Sequence, residues 1–244
     1  MIEINNIVKQ FSKKNVLNDI TFKIKKGASI AIIGQSGVGK SVLLKHLNGL
    51  IVPDYGDIII NKKSINKLSF SQLQGVRKKM SMVFQFGALF DSLTIKNNIL
   101  IALDHLTNLS KEEKKERIFN ALLSVNLSDI ENLYPSDISG GMKKRVGIAR
   151  AISANPEYIL YDEPTTGLDP IMTHSINNLI KKIHHEEKLT SIIVTHEMKT
   201  VENVADRVIF LDEGKIRYDG SPIDMKNSTN KTVLQFLNVS GSLQ

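Results

Sequence analysis

The sequence predicts an α/β fold with a helical segment inserted in it, and three features carry that expectation. Short apolar runs of strand type stand at Ser29-Ile30-Ala31-Ile32-Ile33, Ile58-Ile59-Ile60, Tyr158-Ile159-Leu160-Tyr161 and Ser191-Ile192-Ile193-Val194. Between the second and third of these, about 89–155, helical spacing dominates. Directly after the first run comes the glycine-rich turn Gly34-Gln35-Ser36-Gly37-Val38-Gly39-Lys40-Ser41, which opens an amphipathic segment.

Taken in order, residues 1–33 read as strands. Thr21-Phe22-Lys23-Ile24 alternates, and Lys26-Gly27 marks a turn before the first apolar run. After the glycine-rich turn, Leu43, Leu44, Leu47 and Leu50 recur with helical spacing. Ser110-Lys111-Glu112-Glu113 is a capping box, because the serine hydroxyl and the glutamate can each satisfy a free amide of the other's turn. Behind it, Ile118, Ala121, Leu122 and Val125 share one helix face. Val208-Ile209-Phe210-Leu211 and Lys215-Ile216-Arg217-Tyr218 form a hairpin with Gly214 in its turn. The expected organisation is a single domain over 1–220, with a helical subdomain at about 89–155, and an extension over 221–244.

The bulk composition narrows the possibilities. A chain of 244 residues can bury a core without disulfides or metals, and with no cysteine it has no disulfide, thiolate metal site or thiol nucleophile. Lysine and arginine number 32 against 25 acids, a net charge of +7, and the lysines fall in short runs such as Lys13-Lys14, Lys25-Lys26 and Lys181-Lys182. These are expected to lie on a solvated basic surface, which also admits an anionic membrane face or nucleic acid as partner. No apolar stretch approaches the roughly 20 residues of a membrane-spanning helix. Met1-Ile2-Glu3-Ile4-Asn5 lacks the basic and apolar segments of a secretory signal, so a cytoplasmic location is expected.

Residues 34–41 match G-x-x-x-x-G-K-S in full, between a strand and a helix. Glycines let the backbone curl so that several N–H groups point at phosphate oxygens, and the helix start adds partial positive charge. Lys40 supplies a full charge to the β- and γ-phosphates of ATP, and the Ser41 hydroxyl is a hard oxygen suited to Mg²⁺. A second signal follows the strand at 158–161, where Asp162 and Glu163 end up on the ligand side of an open parallel sheet. Asp162 is expected to hold Mg²⁺, and Glu163 to orient and polarise the attacking water. Phosphoryl transfer needs positioning and charge neutralisation more than covalent help, and this set supplies both.

Ile138-Ser139-Gly140-Gly141-Met142-Lys143-Lys144-Arg145 lies just upstream of that strand. With it the chain resembles the ABC ATPase family, whose signature reads approximately L-S-G-G-Q; here the first position is Ile and the fifth Met. The resemblance covers residues 1 to about 220. It implies an ABC ATPase core with a mixed sheet, an antiparallel β subdomain and the helical insertion. It also implies a head-to-tail homodimer in which Ser139, Gly140, Gly141 and Asp169 of one chain complete the ATP site of the other. By the same resemblance, Gln85 senses Mg²⁺ and the γ-phosphate, His196 is the switch histidine, and Phe11 is the aromatic that stacks on adenine, where Tyr is usual. The implied partner is an integral membrane permease, with the chain peripheral on the cytoplasmic face of the inner membrane.

Three stretches narrow the resemblance. Phe84-Gln85-Phe86-Gly87-Ala88-Leu89-Phe90-Asp91-Ser92-Leu93-Thr94 and the Met142 variant of the signature look like the ATPases of MCE-associated, Mla-type phospholipid transporters, as does the tail Val233-Leu234-Gln235-Phe236-Leu237. A STAS-domain subunit and a periplasmic MCE protein are the further partners this implies. An importer or exporter of an amino acid, metal or drug would use the same ATPase residues. A soluble ATPase acting on nucleic acid usually carries two cassettes or a long coiled-coil or zinc insertion; this chain has none of these, so no nucleic acid is expected.

Overall fold

The computed structural model describes residues 1–12 and 14–239. The chain opens with β1 (Ile2–Phe11) and β2 (Lys14–Ile24), an antiparallel pair, and then enters β3 (Ser29–Ile33). The glycine-rich turn leads into α1 (Lys40–Leu47). Next come β4 (Tyr55–Ile60), the short β5 (Lys63–Ser64), α2 (Phe70–Arg77) and β6 (Met80–Val83). A run of helices follows: α3 (Ile95–Leu106), α4 (Lys111–Ser124) and α5 (Gly140–Ser153). Strands and helices then alternate through β7 (Tyr158–Asp162), α6 (Pro170–Glu186), β8 (Thr190–Thr195), α7 (Met198–Val204) and β9 (Arg207–Asp212). The described chain closes with β10 (Lys215–Gly220), α8 (Pro222–Lys226) and α9 (Lys231–Val239).

The strands form two sheets. A four-stranded antiparallel sheet runs β2-β1-β4-β5, and a six-stranded sheet runs β10-β9-β3-β8-β7-β6. In the larger sheet, β9, β3, β8, β7 and β6 are parallel, and β10 is an antiparallel edge. Strands buried on both faces read as continuous apolar runs, and β3, β7 and β8 do. Alternate residues serve different cores: Ile159 and Tyr161 face the layer built from α3, α4, α5 and α6, whereas Tyr158 and Leu160 face the layer shared with the small sheet and α1. A third cluster joins Ala31, Ile33 and Phe210 to α7, α8 and α9 through Met198, Val201, Met225, Val233, Phe236 and Leu237.

The local signals explain the helix boundaries. Ser110 and Glu113 form the expected reciprocal capping box, and Ile118, Ala121, Leu122 and Val125 are buried together. α1 ends earlier than its leucine spacing suggests. Gly49, at φ +68°, turns the chain after Asn48, and Leu50 lies outside the helix and exposed. The lysines are not uniformly solvated either: Lys40 and Lys144 are buried. Lys13 lies outside the described residues, as do 240–244 of the expected extension. The division of the chain at residue 220 stays a proposal; α8 and α9, which follow it, pack onto the same sheet as α7.

Candidate functional site

Four adjacent parallel strands deliver the site. In the order β3-β8-β7-β6, their carboxyl ends release the glycine-rich turn, Thr195-His196, Asp162-Glu163 and Phe84-Gln85 onto one edge of the sheet. This is where ligands sit in open α/β sheets, because strand ends and helix starts converge there. A cleft of about 710 Å³ lies on this edge, lined by Gln35, Ser36, Gly37, Gly39, Lys40, Ser41, Val42, Gln85, Glu163, Thr166 and His196, with Val16, Phe236 and Val239 completing its wall.

The glycine-rich turn has the backbone that phosphate binding needs. Gly39 caps α1 at φ +106°, ψ 4°, with no side chain bonding the first-turn amides and no acid in that turn. A Cβ at Gly39 would stand 2.8 Å from the Val16 carbonyl oxygen, so a larger residue is excluded on two counts. The amides of α1 are thus left for an anion. Lys40 donates to the carbonyls of Gly34 (2.8 Å) and Gln35 (2.9 Å), which folds its ammonium over the turn. Burial pushes its pKa down, and the charges of Glu163 and Asp162 pull it back up. Glu163 Oε1 is 3.8 Å away.

The acids are held differently. Ser41 Oγ donates to Asp162 Oδ1 at 2.7 Å, so two hard oxygens from α1 and β7 meet at one point. Mg²⁺ takes few protein oxygens, keeps several waters and accepts phosphate oxygens, so this donor set fits it. Glu163 adopts φ +51°, the left-handed region that costs a non-glycine residue energy, and its N–H donates to the Val194 carbonyl at 2.9 Å. Its Oε2 accepts from Thr166 Oγ1 at 3.0 Å and stands 2.8 Å from His196 Nδ1. The carboxylate therefore reaches into the cleft with both oxygens oriented. His196 is half exposed and free to meet a ligand through its other nitrogen.

Most of the residues singled out in the sequence come together here. Gln35, Ser36, Gly37, Gly39, Lys40, Ser41, Gln85, Glu163 and His196 line one cleft, Asp162 joins it through Ser41, and Gly34 and Val38 shape the turn behind. Phe11 does not line it; the ring lies exposed at the end of β1, with the Lys9 ammonium 5.4 Å from its centre, and its adenine role stays a proposal. Ser139, Gly140, Gly141 and Asp169 are not at this cleft. Ser139 caps α5, accepting from the Met142 amide at 3.3 Å, and Asp169 caps α6, accepting from Ile171 and Met172; Ser139, Gly140 and Asp169 are exposed.

A model of the family described as ABC transporter matches residues 17–166. This chain belongs to that family. Its members include the chloroplastic protein trigalactosyldiacylglycerol 3 of Arabidopsis thaliana, 38% identical over 260 aligned positions that cover all of this chain and 74% of that one. The methionine import ATP-binding protein MetN 2 of Bacillus anthracis is 39% identical over 239, covering 96% of this chain and 70% of that one. Among solved structures, the dimeric ATP-binding cassette MJ0796 in a post-hydrolysis state bound to ADP and Pi superposes with a TM-score of 0.83 at 31% identity, over 91% of this chain and 99% of that one. The chain is accordingly an ABC ATPase domain, the ATP-binding and ATP-hydrolysing subunit of an ABC transporter.

The fold also brings in residues outside the phosphate-site motifs. Fully buried Asn98 of α3 clasps the loop after Gln85: its amide donates to the carbonyls of Phe90, Leu93 and Thr94 at 3.0–3.1 Å, and its Oδ1 accepts from the Phe90 amide at 2.7 Å. Arg150 of α5 donates to the carbonyls of Gly87 and Ala88, both at 2.7 Å. Phe236 of α9 walls the cleft while its ring packs on Phe210, 4.9 Å between centroids. Asn98 and Arg150 sit at helical positions whose polarity conflicts with their buried neighbours, the one signal that could have exposed them.

Proposed function

We propose that two copies of this chain close head to tail over two ATP molecules, and that the closure drives a membrane permease that moves phospholipid. The observation that carries the ATPase chemistry is the convergence of Lys40, Ser41-Asp162 and Glu163-His196 on one strand edge. In this reading the amides of the glycine-rich turn and Lys40 hold the phosphates. Ser41 and Asp162 hold Mg²⁺, which neutralises charge on the β- and γ-phosphate oxygens. Glu163, fixed by Thr166 and His196, orients the attacking water and accepts its proton. Gln85 and His196 report the γ-phosphate, and Ser139, Gly140, Gly141 and Asp169 of the second copy cover it.

The dimer is supported by the solved relative that is itself dimeric with ADP and Pi bound. It is supported also by the exposed positions of Ser139 and Asp169, away from the chain's own cleft. Among the described residues no helix is long and apolar enough to cross a membrane; in this reading the membrane-spanning part is a permease on whose face this domain sits. The lipid cargo is supported by the stretch at 84–94 and by Met142, together with a relative named for a galactolipid. A STAS-domain subunit and a periplasmic MCE protein belong to the same reading. A methionine cargo is the second reading, supported by the relative named for methionine import. Purification of the chain with its membrane partners, followed by reconstitution into nanodiscs, separates them. ATPase stimulation by phospholipid and co-purified lipid are expected. Stimulation by methionine with no lipid response would overturn the lipid reading.

A further inference from the structure

Lys144 lies one and a half turns into α5, the helix that begins at Ser139, and is only 7% exposed. Its ammonium donates to two main-chain oxygens of another segment, Pro164 at 2.9 Å and Thr166 at 2.6 Å. That segment directly follows Glu163. Its side chains are held by two acids: Thr166 Oγ1 donates to Glu163, and fully buried Thr165 donates to Glu197 Oε2 at 2.9 Å, one residue beyond His196. Glu197 in turn accepts from Thr200 at 3.2 Å, and Thr200 accepts from Asn177 of α6 at 3.1 Å. The same helix meets α6 twice more. Arg145 donates to Ser175 Oγ at 2.8 Å, and the Met172 methyl occupies the space a Cβ would need at Gly141.

A buried ammonium is costly unless its donors are used. A methionine of similar length would fill this space without that cost. What the ammonium adds is directionality, because two carbonyls two residues apart in a loop are held at fixed distances from one helix.

We infer that Lys144 is a positioning residue that clasps the loop behind Glu163 to the start of α5, so that a chain's own acid and the half-site it presents to its partner move as one piece. This rests on the head-to-tail dimer proposed above. Lys144 faces neither the cleft nor the exposed Ser139 surface, so it acts only through the segments it joins. Losing the clasp leaves the phosphate-binding turn of the same chain untouched and displaces Ser139 and Asp169 relative to each other.

The test uses the full chain carrying Glu163→Gln, which is expected to hold ATP with turnover strongly reduced. Dimerisation with ATP is followed by sedimentation, and binding of a fluorescent ATP analogue to the monomer is titrated separately. Adding Lys144→Met is expected to raise the protein concentration needed for dimerisation about tenfold or more, as expected from losing hydrogen bonds of a charged donor. The monomer's affinity for the nucleotide is expected to stay unchanged. Lys144→Gln keeps an N–H donor and is expected to fall between, which keeps the test informative should the methionine variant fold poorly. Dimerisation unaltered in Lys144→Met, or nucleotide affinity falling in parallel with it, would overturn the inference. If Glu163→Gln itself stays monomeric at saturating ATP, the head-to-tail reading fails and this inference fails with it.

Discussion

Two helix starts in this chain share a chemistry and differ in their surroundings. α1 begins after Gly39 with no side-chain cap and carries Lys40 and Ser41 in its first turn, while two acids and a histidine reach that turn's cleft from the neighbouring strands. α5 begins after Ser139, whose own hydroxyl caps it; Ser139 and Gly140 are exposed, and neither lines the cleft. The first is a nearly finished phosphate site. In the proposed dimer the second is an anion-binding surface whose complement lies in the other copy. One anion needs only one such helix start, so the asymmetry points to a site divided between two copies.

The comparison breaks most visibly at Glu163. Glu163→Gln keeps the side chain's size and removes its basicity. Turnover is expected to fall by about 10²–10⁴-fold, the range for removing a general base. Nucleotide binding should persist, because the phosphate contacts come from α1 and its turn. Near-normal steady-state ATPase would remove Glu163 from the chemistry and leave the first region only a binding site.

A smaller effect asks how far the first region extends. Phe236 lies 40 residues beyond His196, yet it lines the cleft and packs on Phe210. Phe236→Ala is expected to cost about 3 kcal/mol of unfolding free energy, the low end for removing a buried ring. Urea denaturation measures it. A loss of only about 0.5 kcal/mol, the value for a surface position, would mean that α9 is not part of the wall.

The smallest effect separates the two helices by pH. α1 contains His46, fully buried, with Nδ1 2.7 Å from the Val42 carbonyl and Nε2 without a partner. Burial holds its pKa below the ordinary value. The folded chain keeps the ring neutral while the unfolded chain takes up a proton below pH about 6.5. The stability His46 contributes is therefore present above that pH and lost as pH falls. His184, shifted in the same direction, is unchanged by the variant. Melting temperatures of wild type and His46→Gln should converge, or cross in the variant's favour, between pH 7.5 and 5; parallel curves would contradict this.

The legible parts of the molecule were those with local causes. The phosphate turn is visible because glycines are needed at fixed places, as Gly39 at φ +106° shows. The strands at 29–33, 158–162 and 190–195 are visible because burial on both faces makes their central residues a continuous apolar run. The α4 start is visible because Ser110 and Glu113 satisfy each other's amides. What escaped were contacts made only by the fold. Lys144 reads as one lysine among many, yet it shares a helix face with buried Ile148, Ala151 and Ile152. Asn98 lies 13 residues from Gln85 and shapes its loop without any motif of its own. Leu50 kept the leucine spacing but fell beyond the turn at Gly49, where the backbone overrode periodicity.

The division of the site between two chains is tested most directly by complementation. One chain carries Lys40→Ala, which spoils its phosphate turn and spares Ser139. The other carries Ser139→Arg, which spoils the outward helix start and spares Lys40. Each is expected to be inactive alone. Mixed in equal amounts, they form dimers in which one site combines an intact turn with an intact partner surface, so ATP hydrolysis should rise well above the sum of the two. Activity of Ser139→Arg on its own, with a mixture no more active than the sum, would mean that each chain hydrolyses ATP within itself, and would contradict the divided site.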